Sequence, residues 1–142
     1  MTSKAILAWL RLARVYQKVD RATVVHLRRW GLSVAQFDVL AQVGAREGIT
    51  QQELAEALLV TKGNVCQLLD RMEAAGWLVR RPDGRANRLF LTPSGRRLHA
   101  EVVPAQEALI ERLFGSLSPV EQAELVHLLG RADGALRNRS PV

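Results

Sequence analysis

The residues with the most pointed chemistry lie between positions 61 and 88. Thr61, Lys62, Asn64, Gln67 and Arg71 recur so that a helix would carry them on one face and near its N-terminus. Asn and Gln amides can read adenine bidentately, whereas a hydroxyl and an ammonium suit phosphate. Arg80, Arg81, Arg85 and Arg88 follow on either side of Pro82-Asp83-Gly84. Guanidinium groups on a turn suit a phosphate backbone or a narrow groove. The net charge is +6 and unevenly spread. Residues 61–97 carry eight bases against three acids, a net +5, and residues 1–30 carry seven against one. A basic balance of this kind fits a polyanionic partner.

These residues need elements to hold them. Leu54, Ala55, Leu58, Val65 and Leu68 are spaced so that two short helices can cross around a tight turn. The second helix is expected to run from about residue 59 to Ala75, with Gly76 as its C-terminal cap. Trp77–Arg81 reads as a strand, Pro82–Arg85 as a turn and Arg88–Leu91 as the returning strand. Ser33 with Gln36, Thr50 with Glu53 and Ser118 with Glu121 have the spacing of capping boxes. Thr92-Pro93 places a capping hydroxyl before proline at the first helical position. Pro104 is expected to kink the helix it begins. The first thirty residues read as one helix, capped by Ser3 and ended by Gly31. Its apolar stripe holds Ile6, Leu10, Ala13, Val24 and Leu27. Such a helix of about 25 residues is roughly 38 Å long, too long for a small domain to cover alone. The last helix is expected to bury Val120, Leu125, Val126, Leu128, Leu129 and Ala132. The fold class is therefore mainly α with a small β-hairpin wing.

Several classes are set aside. No apolar run reaches the roughly 18 residues of a membrane span, and the start is too short for a secretory signal. One cysteine excludes an internal disulfide framework and points to a reducing cytoplasm. No phosphate loop, nucleophile elbow or zinc-hydrolase motif is present, so an enzyme is not expected. His26, His99, His127 and Cys66 lack ligand spacing, so neither metal nor cofactor is expected. Two alternatives stay open. Cys66 near a helix N-terminus could make the protein redox-responsive, and the chain could be a helical dimer or interaction module that binds no DNA.

The blocks Gln36-Phe37-Asp38-Val39-Leu40, Ile49 through Ala55, Thr61-Lys62-Gly63-Asn64-Val65, Leu69-Asp70-Arg71-Met72-Glu73, Gly76 through Arg81 and Leu91-Thr92-Pro93-Ser94-Gly95 agree in order and spacing with one family. In them the chain resembles the MarR family of multiple-antibiotic-resistance-type regulators. The resemblance implies a winged helix-turn-helix lobe at 32–92, with N- and C-terminal dimerisation helices at 1–31 and 93–142. It further implies a repressor that binds a palindromic operator in double-stranded DNA as a homodimer. Asp70 would brace Arg85 or Arg88 of the wing. The wing tip is shorter than the family's, with Gly84 where a second Arg often stands. Control by a small aromatic or anionic effector is also implied, with Trp9, Arg14, Tyr16, His26, Trp30 and Phe37 as candidate lining residues.

Overall fold

The computed structural model describes residues 1–58 and 62–137, with the backbone alone for Lys62 and Gly63. Its elements are α1 (Lys4–Leu27), a short 3-10 turn (Arg28–Trp30), α2 (Val34–Ala45), α3 (Gln51–Leu58), α4 (Lys62–Ala74), β1 (Leu78–Asp83), β2 (Ala86–Leu91), α5 (Pro93–Leu113) and α6 (Pro119–Arg137). The mainly helical, winged helix-turn-helix reading is borne out. The chain divides into two compact units, residues 1–107 and 108–142.

Local chemistry sets most of the boundaries. Ser3 accepts from the Ile6 amide at 3.2 Å and starts α1. The helix ends three residues earlier than the sequence suggested. Gly31 at φ +67° lets Leu32 N donate to Leu27 O and Gly31 N to Arg28 O, a Schellman closure that tightens the last turn. At Ser33 both arms of the capping box form, at 3.1 and 2.9 Å. Thr50 and Glu53 exchange bonds of 3.1 and 3.0 Å, and Ser118 and Glu121 bonds of 3.2 and 2.8 Å. Gly76 (φ +83°) repeats the Schellman closure after α4, with Trp77 N on Met72 O. α5 continues through Pro104 as one helix.

Within residues 1–107 the core is formed by Leu27, Val39, Leu40, Val43, Leu54, Val65, Leu69, Met72, Leu78, Leu89 and Val102, all fully buried or nearly so. It joins α1, α2, α3, α4, the hairpin and α5 around one apolar cluster. Val102 of α5 is fully buried among these residues. The two strands pair antiparallel, Leu78 opposite Leu91 and Asp83 opposite Ala86, so the loop is Gly84-Arg85 alone. The strands are longer than expected because Pro82 and Asn87 also pair. Pro is tolerated in such a two-stranded ribbon, where an edge needs no further donor. A third segment joins them. Leu89 N donates to Ile49 O at 2.9 Å, Gly48 N donates to Leu89 O at 2.8 Å, and Thr50 bridges to Arg88.

Two apolar faces lie open, that of α1 in line with its length and that of α6 against expectation. α1 buries only Thr23 and Leu27, leaving Ile6, Trp9, Leu10 and Tyr16 at 51, 63, 53 and 68% exposure. α6 was expected to bury its apolar side, yet none of its residues is buried, and Val126 is 72% exposed. In residues 108–142, Gln122 Nε2 donates to the Phe114 and Leu117 carbonyls at 3.2 and 3.1 Å and ties α6 back to the end of α5. An open apolar cleft of about 290 Å³ runs between Ile110, Phe114, Leu125, Val126 and Leu129.

The capping carboxylates give a pH dependence with a definite sign. Hydrogen bonds from the Thr50 amide and hydroxyl hold the Glu53 carboxyl below its usual range, and Ser118 does the same for Glu121. A lowered folded value means stability that is complete above the unfolded value, about 4.3, and is lost as pH falls through the folded one. Asp38 acts in the opposite sense, since burial and then Asp20 raise it. Glu53→Gln keeps both arms of the cap without a titrating group. Its melting temperature should therefore fall less steeply than that of the parent below about pH 4.3. Parallel melting curves from pH 6 downward would contradict the assignment.

Candidate nucleic-acid interface

α4 is an amphipathic helix with a divided duty. Val65, Leu69 and Met72 are fully buried on one side. Asn64, Gln67 and Arg71 are exposed on the other. Thr61 lies outside the described residues, and Lys62 is placed only as the first residue of α4. α3 packs on α4 through Leu54 and Ala55, so the polar side of α4 is held from behind by a rigid apolar bed.

The arginines of the hairpin have different fates. Arg80 reaches back to α4, pairing with Asp70 and, at 3.2 Å, with Glu73. The hydrogen bond to Asp70, then that to Glu73, raises its already high proton affinity. Asp70 thus braces a wing arginine, but Arg80 rather than Arg85 or Arg88. The reason is register: Arg80 sits on β1 beside α4, whereas Arg88 lies on the far strand. Arg88 instead donates from Nε to Asp83 at 2.6 Å and from Nη1 to Gly48 O at 2.9 Å. The Asp83 bond raises its proton affinity in turn. Arg81 lies over the Phe90 ring, its guanidinium carbon 4.7 Å from the centroid, a cation–π contact that keeps the charge at the surface. Arg85, in the two-residue loop, is exposed. Neither Arg71 nor Arg85 has an ion pair among the described residues, so both remain available to an external anion.

The base of the wing is fixed by backbone chemistry. Thr92 N donates to Trp77 O at 3.0 Å, Thr92 Oγ1 donates to Gly76 O at 2.5 Å, and Gly95 N donates to Thr92 Oγ1 at 3.0 Å. Glu47 accepts from Leu91 N at 3.0 Å and from Arg96 at 3.1 Å. The Arg96 bond is the main cause of its depressed carboxyl.

The candidate effector residues fall into separate groups. Trp9 and Tyr16 line a shallow, open cavity along α1 with Leu12, Ala13 and Gln17. Arg14 is exposed on the same helix. Trp9 and Trp30 are 21 positions apart, ~30 Å along a helix. His26 meets Trp30 edge to face at 5.0 Å. It donates from Nδ1 to Gln106 Oε1 at 2.9 Å, and Gln106 Nε2 donates to Thr23 Oγ1 at 3.0 Å, a chain of polar contacts from α1 to α5. Trp30 and Phe37 pack against the core cluster. Sequence reasoning missed the pairing of the Gly48–Thr50 segment with the second strand, although a glycine before two β-branched residues was an available signal. It also missed Gln51, buried beside Cys66.

Two consecutive packed helices, α3 and α4, an outward polar face on the second, and an antiparallel hairpin with an exposed arginine at its tip define a DNA-binding winged helix-turn-helix protein. Known proteins agree. The family model described as MarR family matches residues 30–89. The chain is 35% identical over 136 residues to the HTH-type transcriptional regulator PecS of Dickeya dadantii (strain 3937), covering 89% of this chain and 80% of PecS. A mutant of MarR from E. coli, solved in complex with operator DNA, is 30% identical with a TM-score of 0.80 over 90% of this chain and 95% of that one. BpsR of Bordetella bronchiseptica, whose DNA binding is regulated by 6-hydroxynicotinic acid, is 27% identical with a TM-score of 0.81, covering 89% of this chain and 98% of BpsR. The chain belongs to the MarR family of transcriptional regulators.

Among the described residues no helix is long and apolar enough to cross a membrane. No group of three or more His, Cys, Asp or Glu side chains there could hold a metal ion.

Proposed function

We propose that this regulator is a repressor that binds a palindromic operator as a homodimer and is released by a small aromatic or anionic molecule. The observation that carries the reading is the exposure of Asn64, Gln67 and Arg71 on the side of α4 opposite its buried residues. In the proposed complex α4 enters the major groove. Asn64 and Gln67 meet base edges, Thr61 and Lys62 meet phosphates, and Arg81 and Arg85 lie along the backbone or minor groove. Arg80 and Arg88 orient the hairpin through their carboxylates and contribute less to the duplex. The uncovered apolar faces of α1 and α6 support a second copy as partner. Half-sites about 10–11 base pairs apart then follow if the two reading helices sit one turn apart.

The effector part of the proposal draws on BpsR, which responds to an aromatic acid. Trp9 and Tyr16, which line one open cavity on α1, and Arg14 of the same helix are the proposed lining residues, while His26, Trp30 and Phe37 pack elsewhere and fall outside the set. An aromatic face with a guanidinium suits a flat anion. A ligand that prefers a lobe spacing mismatched to the operator lowers DNA affinity by its differential binding.

Binding of the full chain to DNA from upstream of its own gene, measured at two salt concentrations, tests the reading. Affinity should fall steeply with salt. Asn64→Ala should relax base preference, and Lys62→Ala should weaken all sequences alike. Salt-insensitive or absent binding would favour a protein-interaction module instead. Sedimentation showing a monomer at micromolar concentration would remove the dimer, and aromatic acids that leave the melting point unmoved would remove the effector.

A further inference from the structure

α1 carries its bases on one side. Lys4, Arg11, Arg14, Lys18, Arg21 and Arg28 follow one another at spacings of seven, three, four, three and seven residues, which keeps them on one face of a helix. That face is turned away from Thr23 and Leu27, the residues by which α1 enters the core. All six side chains are exposed. From Lys4 to Arg28 the row is ~36 Å long, the length of one turn of a DNA duplex.

The row has no neutralising partner among the described residues. Arg46, Arg80, Arg88 and Arg96 of the lobe each pair with a carboxylate. None of the six bases on α1 has an ion pair among the described residues. Asp20, the one acid of the first thirty residues, has no base three or four positions away. Arg11 with Arg14, Arg14 with Lys18 and Lys18 with Arg21 are instead like charges at neighbouring helical positions, an arrangement that weakens a helix. A polyanion lying along the row would offset this repulsion.

We propose that this face of α1 is a second DNA-binding surface, which holds the phosphates of a duplex without reading its sequence and lets one regulator bridge two stretches of DNA. The polar groups of the row are guanidinium and ammonium alone, with no amide to read a base edge, so its contacts are to phosphate. α1 packs against α2, while α4 packs against α3 and β1 as well as α2, so α2 separates the row from the reading helix. The two surfaces therefore take different stretches of duplex. The apolar side of α1 is assigned above to the second copy, which leaves the charged side free. Only Leu7 and Val25 interrupt the row, too little apolar surface to seat a helix in lipid. Bridging rests on the DNA-binding reading of α4; the surface on α1 does not.

The test immobilises DNA from upstream of the protein's own gene, saturates it with the full-length protein, washes, and offers a fluorescent duplex of unrelated sequence. The second duplex should be captured and then released as salt rises. The test variant combines Lys4→Gln, Arg11→Gln, Lys18→Gln and Arg21→Gln, and keeps Arg14 because the effector reading uses it. Capture should fall about tenfold in this variant, while affinity for the immobilised DNA changes less than about twofold. Its melting temperature should be no lower than that of the parent, since repulsion is removed. Equal capture by variant and parent, or no capture by a parent that holds the immobilised DNA, would overturn the surface and leave the proposed function standing. Displacement of the second duplex by polyglutamate at matched charge would overturn DNA as the partner in favour of an acidic protein. Sedimentation of the parent with phosphatidylglycerol vesicles, without capture of the duplex, would overturn it in favour of a membrane. Failure of the α4 reading has a separate signature. Arg71→Ala combined with Arg85→Ala would then bind both duplexes as the parent does, while the α1 variant loses both. That outcome would refute the role of α4 and uphold the surface on α1.

Discussion

Gly95→Ala should lower the stability of this protein by about 3 kcal/mol, a fall in melting temperature of ~10 °C. A Cβ at position 95 would overlap the carbonyl oxygen of Trp77. That oxygen belongs to the backbone and cannot rotate away as a side chain could. It is also committed, because it accepts from Thr92 N at 3.0 Å. Moving it breaks this bond and strains the neighbouring pair, Thr92 Oγ1 to Gly76 O and Gly95 N to Thr92 Oγ1. The helix propensity of alanine, worth about 1 kcal/mol over glycine, offsets only part of the loss. Because the knot joins the end of α4, the start of β1 and the start of α5, DNA affinity should fall along with stability. Circular dichroism melting decides the matter, and a melting point within about 2 °C of the parent would show that the backbone relaxes at little cost.

The second large effect concerns the two arginines without a carboxylate partner among the described residues. Arg71→Ala combined with Arg85→Ala should weaken DNA binding by one to two orders of magnitude, since a well-placed guanidinium is worth roughly 1–3 kcal/mol to a complex with DNA. The dependence of log affinity on log salt should also flatten, by about 0.9 for each phosphate neutralised. Arg80→Ala should act differently. It strips Asp70 and Glu73 of their partner and loosens the hairpin on α4, so it should reduce melting temperature more than it changes the salt slope. Fluorescence anisotropy over a salt series separates the two. Equal salt slopes in the double variant and the parent would mean that neither Arg71 nor Arg85 meets phosphate.

The different fates of these arginines show which features could be read from residue types. Capping pairs are local: Ser33 with Gln36, Thr50 with Glu53 and Ser118 with Glu121 are three residues apart, and each pair formed both bonds. The outward face of α4 was legible for the same reason, since helical period alone separates Asn64 and Gln67 from Val65 and Leu69. Partner choice among the arginines was not legible. Arg80, Arg85 and Arg88 are alike in type, and strand register decides which of them meets Asp70. The pairing of the Gly48–Thr50 segment depends on a partner about 40 residues away, and its short length left no period to detect. The stripes on α1 and α6 were read as apolar correctly, but amphipathic spacing does not say what covers an apolar face. For α1 the length of the helix already pointed beyond the chain; for α6 only the family resemblance did, by implying that residues 93–142 serve dimerisation.

The segment Gly48–Thr50 also bears on how a duplex would be selected. Leu89 trades hydrogen bonds with Gly48 and Ile49 while Arg88 fastens Gly48 to Asp83, so the hairpin is bolted to the corner between α2 and α3. In the proposed complex, helix and hairpin then behave like the jaws of a caliper set to one gauge. A duplex that does not match must itself deform, at a cost that depends on the stiffness of its base steps. Operators would therefore be sorted partly by flexibility at positions that no side chain touches.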